Sequence, residues 1–347
     1  MSPTAAIDAL TSWLSVRRYP AIGMSLLRIA YGVCFLIILA SNAPQWKTLW
    51  GSDSIYSFHE MVTDQNRARS LNLFMAFNSD SWVIFLLILS AVVGFSFMIG
   101  FRTRISTILL FLLCWSLTAR NPFISDGGDN LMAIVLLLLC FAKTADWMSV
   151  DNLLKSRRTA NGNPERKNGS LSKFESFSVI LGNLAWMALL VQVCILYTTS
   201  GLAKVQGTLW QDGTAVYYIL RTAEFSTWPA LSDLIIGNGY LTTTASYMTV
   251  LVQVFFPFLI FNRHLKVPTI AVLVGMHAGI GIFMGLPVFA LVMIGTEMIF
   301  LPDSFWRKLQ SRIHAVQKQP STMHDSTPEN SGNDSPSPAR LRESAQA

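Results

Sequence analysis

The feature that most constrains this chain is a set of long apolar runs without a charge. Residues 83–99 read VIFLLILSAVVGFSFMI, seventeen positions with no ionisable side chain. A run of that length matches the hydrocarbon thickness of a bilayer when wound as a helix. The chain as a whole is 52% hydrophobic and 13% charged, whereas soluble domains are about a quarter charged. These observations predict an all-α polytopic membrane protein, a bundle of about eight transmembrane helices. The predicted spans are 21–40, 82–100, 105–119, 131–142, 177–199, 242–261, 267–286 and 288–301. A lead over 1–20 precedes the membrane domain of 21–312, and a Ser/Pro/Asn-rich tail over 313–347 is expected to be disordered. A polar, basic linker at 143–176 is expected to be mobile, and 200–241 forms a large loop in which 213–220 could dip into the membrane. The first run ends in SNAPQW, which resembles a weak cleavage site, but the spans that follow favour a signal anchor.

Orientation follows from the basic residues, because cytoplasmic loops carry the excess of lysine and arginine. With the N-terminus inside, nineteen of these residues lie in inner segments, six in outer segments, and Arg28 within a span. Both termini are therefore predicted to be cytoplasmic, in the cell membrane. The net charge of +6 belongs to loops held at an anionic lipid surface, so nucleic acid is not an expected partner. The four cysteines lie in apolar segments without metal-ligand spacing and read as small core residues.

Four ionisable residues fall at membrane depth or its edge: Arg28, Lys204, His277 and Glu297. A charge at mid-membrane costs about 2.5–3.5 kcal/mol on insertion scales, so each needs a polar partner or a wet cavity. Arg28 could tie several helix ends together. Glu297 could reach water on the inner side, and His277 could be a packed, hydrogen-bonded histidine among glycines. Lys204 either anchors at the interface or, if desolvated, gives up its proton more readily and serves as a base. It belongs to SGLAKVQGTLWQDGTAVYYIL at 200–220, which also supplies Trp210 and Asp212. The loop RNPFISDGGDN offers Arg120, Asn121, Asp126 and Asp129. Its aspartates could bind a cation or an amine, or cap the next helix with Asp129 as N-cap. The topology predicts that Asp126 and Asp129 share one outer cavity with Lys204. No EF-hand, P-loop, GxSxG, HExxH or dinucleotide motif is present.

The segments RNPFISDGGDNLMAIVLLLLCF, DWMSVD, LYTTSGLAKVQGTLWQDGTAVYYIL and MHAGIGIF resemble the horizontally transferred transmembrane domain family. That superfamily contains the vitamin K-dependent gamma-carboxylases and the sporulation-delaying protein B type, a membrane partner in making a secreted peptide toxin. Trp210, Gly213, Thr214, Ala215, Tyr217 and Tyr218 form a WxxGTAxYY pattern that looks closer to the toxin-maturation branch. In the carboxylases, the lysine of a Gly-x-x-Lys…Trp segment is the base that deprotonates vitamin K hydroquinone. Lys204 falls on it when Gly201 and Trp210 are matched, with the tryptophan spacing off by one. A histidine before the carboxylases' fourth span falls near Asp129 here, a departure that points away from carboxylation.

The resemblance implies maturation or export of a secreted, antimicrobial-type peptide at the outer face, with the peptide and a second protein of the same system as partners. The alternative it implies is a membrane enzyme acting on a quinone or other lipid-soluble substrate, with Lys204 as base and His277 in support. A third reading is a transporter or immunity-like binding protein with Arg28, His277 and Glu297 along a polar path.

Overall fold

The computed structural model describes residues 12–17, 19–63, 72–161, 173–225 and 227–317. Residues 1–11 of the expected lead, 162–172 of the expected linker and 318–347 of the expected tail lie outside the described residues. So do Arg18, Arg67 and Arg69, three of the residues behind the orientation argument.

The described residues are helical throughout, with no strand among them. The principal helices are α1 (Ala21–Asn42), α2 (Asp80–Ile99), α3 (Thr103–Arg120), α4 (Gly127–Leu139), α5 (Val150–Ala160), α6 (Lys173–Val205) and α7 (Ala215–Arg221). They continue as α8 (Pro229–Ile236), α9 (Gly239–Val254), α10 (Phe256–Phe261), α11 (Lys266–Phe283), α12 (Pro287–Glu297) and α13 (Asp303–Gln317). Four of them are long and apolar enough to cross a bilayer: α1 with its continuation to Leu49, α2, α6 and α11. A fifth is added if Pro287–Phe300 and the helix after it count as one broken span. Among the described residues the chain is thus all-helical, with four to five helices long and apolar enough to span a membrane.

Helix α1 is central. Its Leu27, Tyr31 and Phe35 are fully or almost fully buried, and it packs between α2 and α12. Pro20 precedes it and has no side chain that can cap. Asp303, from the far end of the chain, supplies the cap instead: its carboxylate accepts from the amides of Ala21 at 3.2 Å and Ile22 at 2.9 Å.

Arg28 acts from the same helix and is 0% exposed. Its Nη1 donates to the carbonyls of Phe97, at 2.9 Å, and Met98. Nε donates to Thr144 O at 3.1 Å, and Nη2 to Met148 O at 2.6 Å. Phe97 and Met98 belong to the last turn of α2, whose carbonyls have no partner within the helix. One guanidinium therefore closes α2 and holds the 144–148 loop against it, and the planar fork of donors makes this possible. Arg28 ties helix ends together and does not face the cavity described below.

The α2–α3 turn depends on the same place. Gly100 has φ +71°, and a Cβ there would lie 2.5 Å from Ser149 Cβ and 2.9 Å from Arg28 Nη1. Phe101 N donates back to Ser96 O at 2.9 Å, which completes a Schellman-type stop. Asp151 then accepts from Arg102 N at 2.9 Å, Thr103 N at 2.8 Å and the Thr103 hydroxyl at 2.7 Å. The opening of α3 is capped in this way from α5.

Several expectations need correction. The linker 143–176 contains the helix α5, whose N-cap Ser149 accepts from Asn152 N, so 150–160 is not a loop. The span expected at 242–261 breaks at Phe255, because Pro257 opens a new helix, α10. Helix α6 runs 33 residues, about 50 Å at 1.5 Å per residue, well past the expected end at 199. Helix α13 continues to Gln317, into the first residues of the expected disordered tail. Helix α4 has 13 residues, about 20 Å against a hydrocarbon core of about 30 Å. Its Leu131, Met132, Val135, Leu136 and Leu139 are buried, so it is short and lies in the core of the bundle.

Candidate functional site

The overrun of α6 changes the setting of Lys204. The residue stands in the last turn of the helix, not in a loop. Tyr197, Ser200 and Lys204 are spaced i, i+3, i+7, so they share one face of α6. Long helical side chains lean towards the N-terminus, and Lys204 Nζ reaches back to donate to Ser200 Oγ at 2.7 Å. Its ammonium also lies 5.5 Å from the centroid of the Trp210 ring, a cation–π distance. Among the described residues no carboxylate pairs with Lys204.

Trp210 is carried by a short turn that Gly207 opens. Gln211 Nε2 donates to Val205 O at 2.8 Å, and Tyr247 OH donates to Gln211 O at 2.9 Å. The turn is therefore fastened to both α6 and α9. These two helices touch closely at Gly201, where a Cβ would come 2.7 Å from Val254 N; only glycine permits that approach.

Between α6, α7, α9, α11 and α12 lies a cavity of about 630 Å³. Lys204, Ser200 and Trp210 line one part of it, and Tyr197 and His277 another. Much of the remaining wall is apolar, with Met248, Val252, Ile280, Phe283, Phe289 and Met293. The volume falls within the range of about 300–1,000 Å³ usual for small-molecule sites.

Beside the cavity is a buried polar cluster. Tyr197 OH donates to Glu297 Oε1 at 2.5 Å, and His277 Nδ1 lies 3.1 Å from the same oxygen. His277 Nδ1 is also 3.0 Å from Leu273 O. Glu297 is 0% and His277 2% exposed, so three helices (α6, α11 and α12) meet at a site shut off from bulk water. Glu297 was expected to reach inner-side water; its burial overturns that expectation. Nearby, Thr296 donates its hydroxyl hydrogen to Val292 O at 2.7 Å, so the 2.7 Å contact from Tyr31 OH to Thr296 Oγ1 has tyrosine as donor.

The other candidates lie elsewhere. Arg120 is buried and donates to Tyr56 O at 2.7 Å and Gly51 O at 3.1 Å. Asn121 Nδ2 donates to Leu49 O at 2.9 Å. Both clamp the 49–56 loop. Asp126, not Asp129, is the N-cap of α4: its Oδ1 accepts from Gly128 N at 2.7 Å and Asp129 N at 3.0 Å. Asp129 closes the box by accepting from Asp126 N at 3.1 Å. Gly127 lines the cavity, but neither aspartate does, so the expected sharing of one cavity with Lys204 is not seen for Asp126 and Asp129. Asp212 is exposed and also stands outside the lining.

Sequence reasoning did not single out Tyr197 or Ser200. Their signal was the i, i+3, i+7 phase with Lys204, readable only once 200–205 is known to be helical. Among the described residues no cluster of histidine, cysteine and acidic side chains could hold a metal ion.

The chain is similar to YitO of Bacillus subtilis (strain 168), itself described only as an uncharacterized protein. The two are 27% identical over 238 residues, 66% of this chain and 69% of the relative. No family model matches the chain, and no solved structure matches it.

Proposed function

We propose that the chain is a multi-pass membrane protein that binds a lipid-soluble ligand with a ring hydroxyl, of the quinol class, in the cavity beside Lys204. The observation that carries this reading is an apolar cavity of about 630 Å³ with a lysine that has no carboxylate partner among the described residues. An apolar wall favours a hydrophobic ligand, and the lone cationic side chain favours an acidic or anionic group on it. In the proposed step the Lys204 ammonium first releases a proton to water, and the resulting amine takes the proton of a ligand hydroxyl. The products are an ammonium and a phenolate-type anion, held as a pair next to Ser200 and Trp210. The resemblance to the gamma-carboxylase superfamily supports the same assignment. A role in maturing or exporting a secreted peptide rests on that resemblance alone. The apolar lining favours the lipid-soluble ligand.

The test is equilibrium binding of a reduced naphthoquinone to purified protein in lipid nanodiscs, under anaerobic conditions. Gly275 lines the cavity, and a Cβ there meets nothing within 4 Å. Gly275→Leu should therefore fill the site while improving helix propensity by up to about 1 kcal/mol. The expected result is saturable binding to the wild type, at least tenfold weaker binding to the variant, and an equal or higher melting temperature. Equal binding by both proteins would refute the cavity as the site.

We further propose the eight-span topology with both termini cytoplasmic, which sets Lys204 near the outer face. Asp212 and Arg157 are both exposed and give opposite expectations. With a membrane-impermeant maleimide, Asp212→Cys should label in intact cells and Arg157→Cys only after permeabilisation. The reverse pattern would invert the topology.

A further inference from the structure

A second, smaller pocket between α7 and α8 holds two opposite charges that do not pair with each other. We infer that it binds a phosphate–ammonium zwitterion, the headgroup of an ethanolamine phospholipid from the surrounding bilayer. The pocket shares only Leu220 with the lining of the cavity beside Lys204, and its ligand does not depend on what that cavity binds.

Pro229, Ser232, Asp233 and Ile236 are spaced i, i+3, i+4, i+7, so one face of α8 carries all four. With Leu220 and Arg221 from the end of α7 they line a pocket of about 340 Å³. The opposite face of α8 carries Leu231 and Leu234, both exposed. Trp228 at the N-cap of α8 and Tyr240 at the start of α9 are exposed as well. A helix that turns leucines outward and polar residues inward suits a lipid surround. Exposed tryptophan and tyrosine beside it mark the headgroup level of a bilayer.

Inside the pocket three polar groups lack the partners they need. Arg221 Cζ lies 4.9 Å from the centroid of the Tyr217 ring, a cation–π contact that steadies the guanidinium. Among the described residues neither Arg221 nor Asp233 forms an ion pair, although both line this one small pocket. Ser232 is 2% exposed, and its hydroxyl is buried with no hydrogen-bond partner among the described residues. Leaving such a group unpaired costs free energy. An ethanolamine headgroup answers all three, because two carbons join its phosphate to its ammonium. The phosphate accepts from the Arg221 guanidinium and the Ser232 hydroxyl, and the ammonium donates to the Asp233 carboxylate. A primary ammonium has three N–H donors. The trimethylammonium of a choline lipid has none, and a glycerol headgroup carries no cation.

The test places the full chain in nanodiscs of mixed phosphatidylethanolamine, phosphatidylcholine and phosphatidylglycerol with identical acyl chains. Native mass spectrometry then counts the lipids retained on the protein. The wild type should retain the ethanolamine lipid over each of the others by about three- to fivefold, the scale of one exposed ion pair. Asp233→Asn should abolish the preference over the choline lipid. Ser232→Ala should lower retention of the ethanolamine lipid while the melting temperature stays equal or rises, a combination that a merely structural serine does not give. Equal retention of ethanolamine and choline lipids by the wild type overturns the inference, as does a preference unchanged in both variants. Strongest retention of the glycerol lipid overturns it too, since an anion site has no use for Asp233. Free phosphoethanolamine offers the same chemistry from water. At low millimolar concentration it should leave the lipid count unchanged, because it lacks the acyl chains that keep the lipid in the bilayer. Displacement of the lipid at that concentration would assign the pocket to a soluble zwitterion instead.

Discussion

Arg28→Met is expected to be the most damaging single substitution in the membrane domain. The guanidinium is 0% exposed and donates to the carbonyls of Phe97, Met98, Thr144 and Met148. Methionine fills similar space but removes all four guanidinium bonds, leaving Phe97 O only the Gly100 amide and Thr144 O only the Ser25 hydroxyl. A buried carbonyl left unsatisfied costs about 1–3 kcal/mol, so losing several together removes a large share of a typical stability of about 5–15 kcal/mol. Arg28→Lys should fail to rescue, because a lysine ammonium is a point donor and cannot span carbonyls from two segments. Thermal unfolding in detergent, monitored by circular dichroism, checks this. Both variants should melt far below the wild type or be degraded before purification. A wild-type melting temperature in Arg28→Met would show that the α2 end and the 144–148 loop are held by something else.

Lys204→Met should have the largest effect on function and little on the fold. Among the described residues the lysine bonds only Ser200 Oγ and the face of Trp210, so its removal breaks no network between helices there. A hydrogen bond with a charged partner contributes about 1.5–3 kcal/mol. Affinity for the naphthoquinol should therefore fall by about tenfold to a hundredfold. The absorbance of the bound probe gives a second readout. Bound to the wild type at neutral pH it should carry the long-wavelength band of the quinol anion, and in Lys204→Met the neutral spectrum. If a transfer reaction is found, loss of its base should slow it by roughly 10²–10⁴-fold. Equal affinity and equal spectra in the two proteins would reduce Lys204 to an interfacial anchor.

Much of the scaffold was legible in the sequence because its signals are local. Uncharged runs marked the helices, the gap between the runs 82–100 and 105–119 marked the α2–α3 turn, and DGGD marked a capped helix start. Arg28 was legible as a structural tie for an energetic reason: a charge in a span must find oxygens. What was illegible depended on register and tertiary partners. The end of α6 was placed at 199 because Ser200, Gly201 and Lys204 look like loop residues; packing of Gly201 on Val254 carries the helix past them. Tyr197 stayed hidden as a result, since its relation to Lys204 exists only on a continuous helix. Glu297 and His277 lie 20 residues apart in sequence and meet only because α11 and α12 fold back on each other. No periodicity announces such a meeting. The hydrogen bonds that would have separated Asp126 from Asp129 as N-cap are likewise a matter of backbone angle, not residue type.

The central claim is that a lipid-soluble ring binds in the cavity between α6, α9, α11 and α12. Photo-crosslinking tests it most directly, with a diazirine-bearing naphthoquinol applied to the protein in nanodiscs and the modified peptides mapped by mass spectrometry. The predicted result is labelling concentrated at 196–220, 241–253 and 272–293, the segments that line the cavity, with loss of that labelling in Gly275→Leu. Labelling spread over the exposed apolar faces of α2 and α3, around Phe85, Phe95 and Ile105, and unchanged by Gly275→Leu, would contradict it.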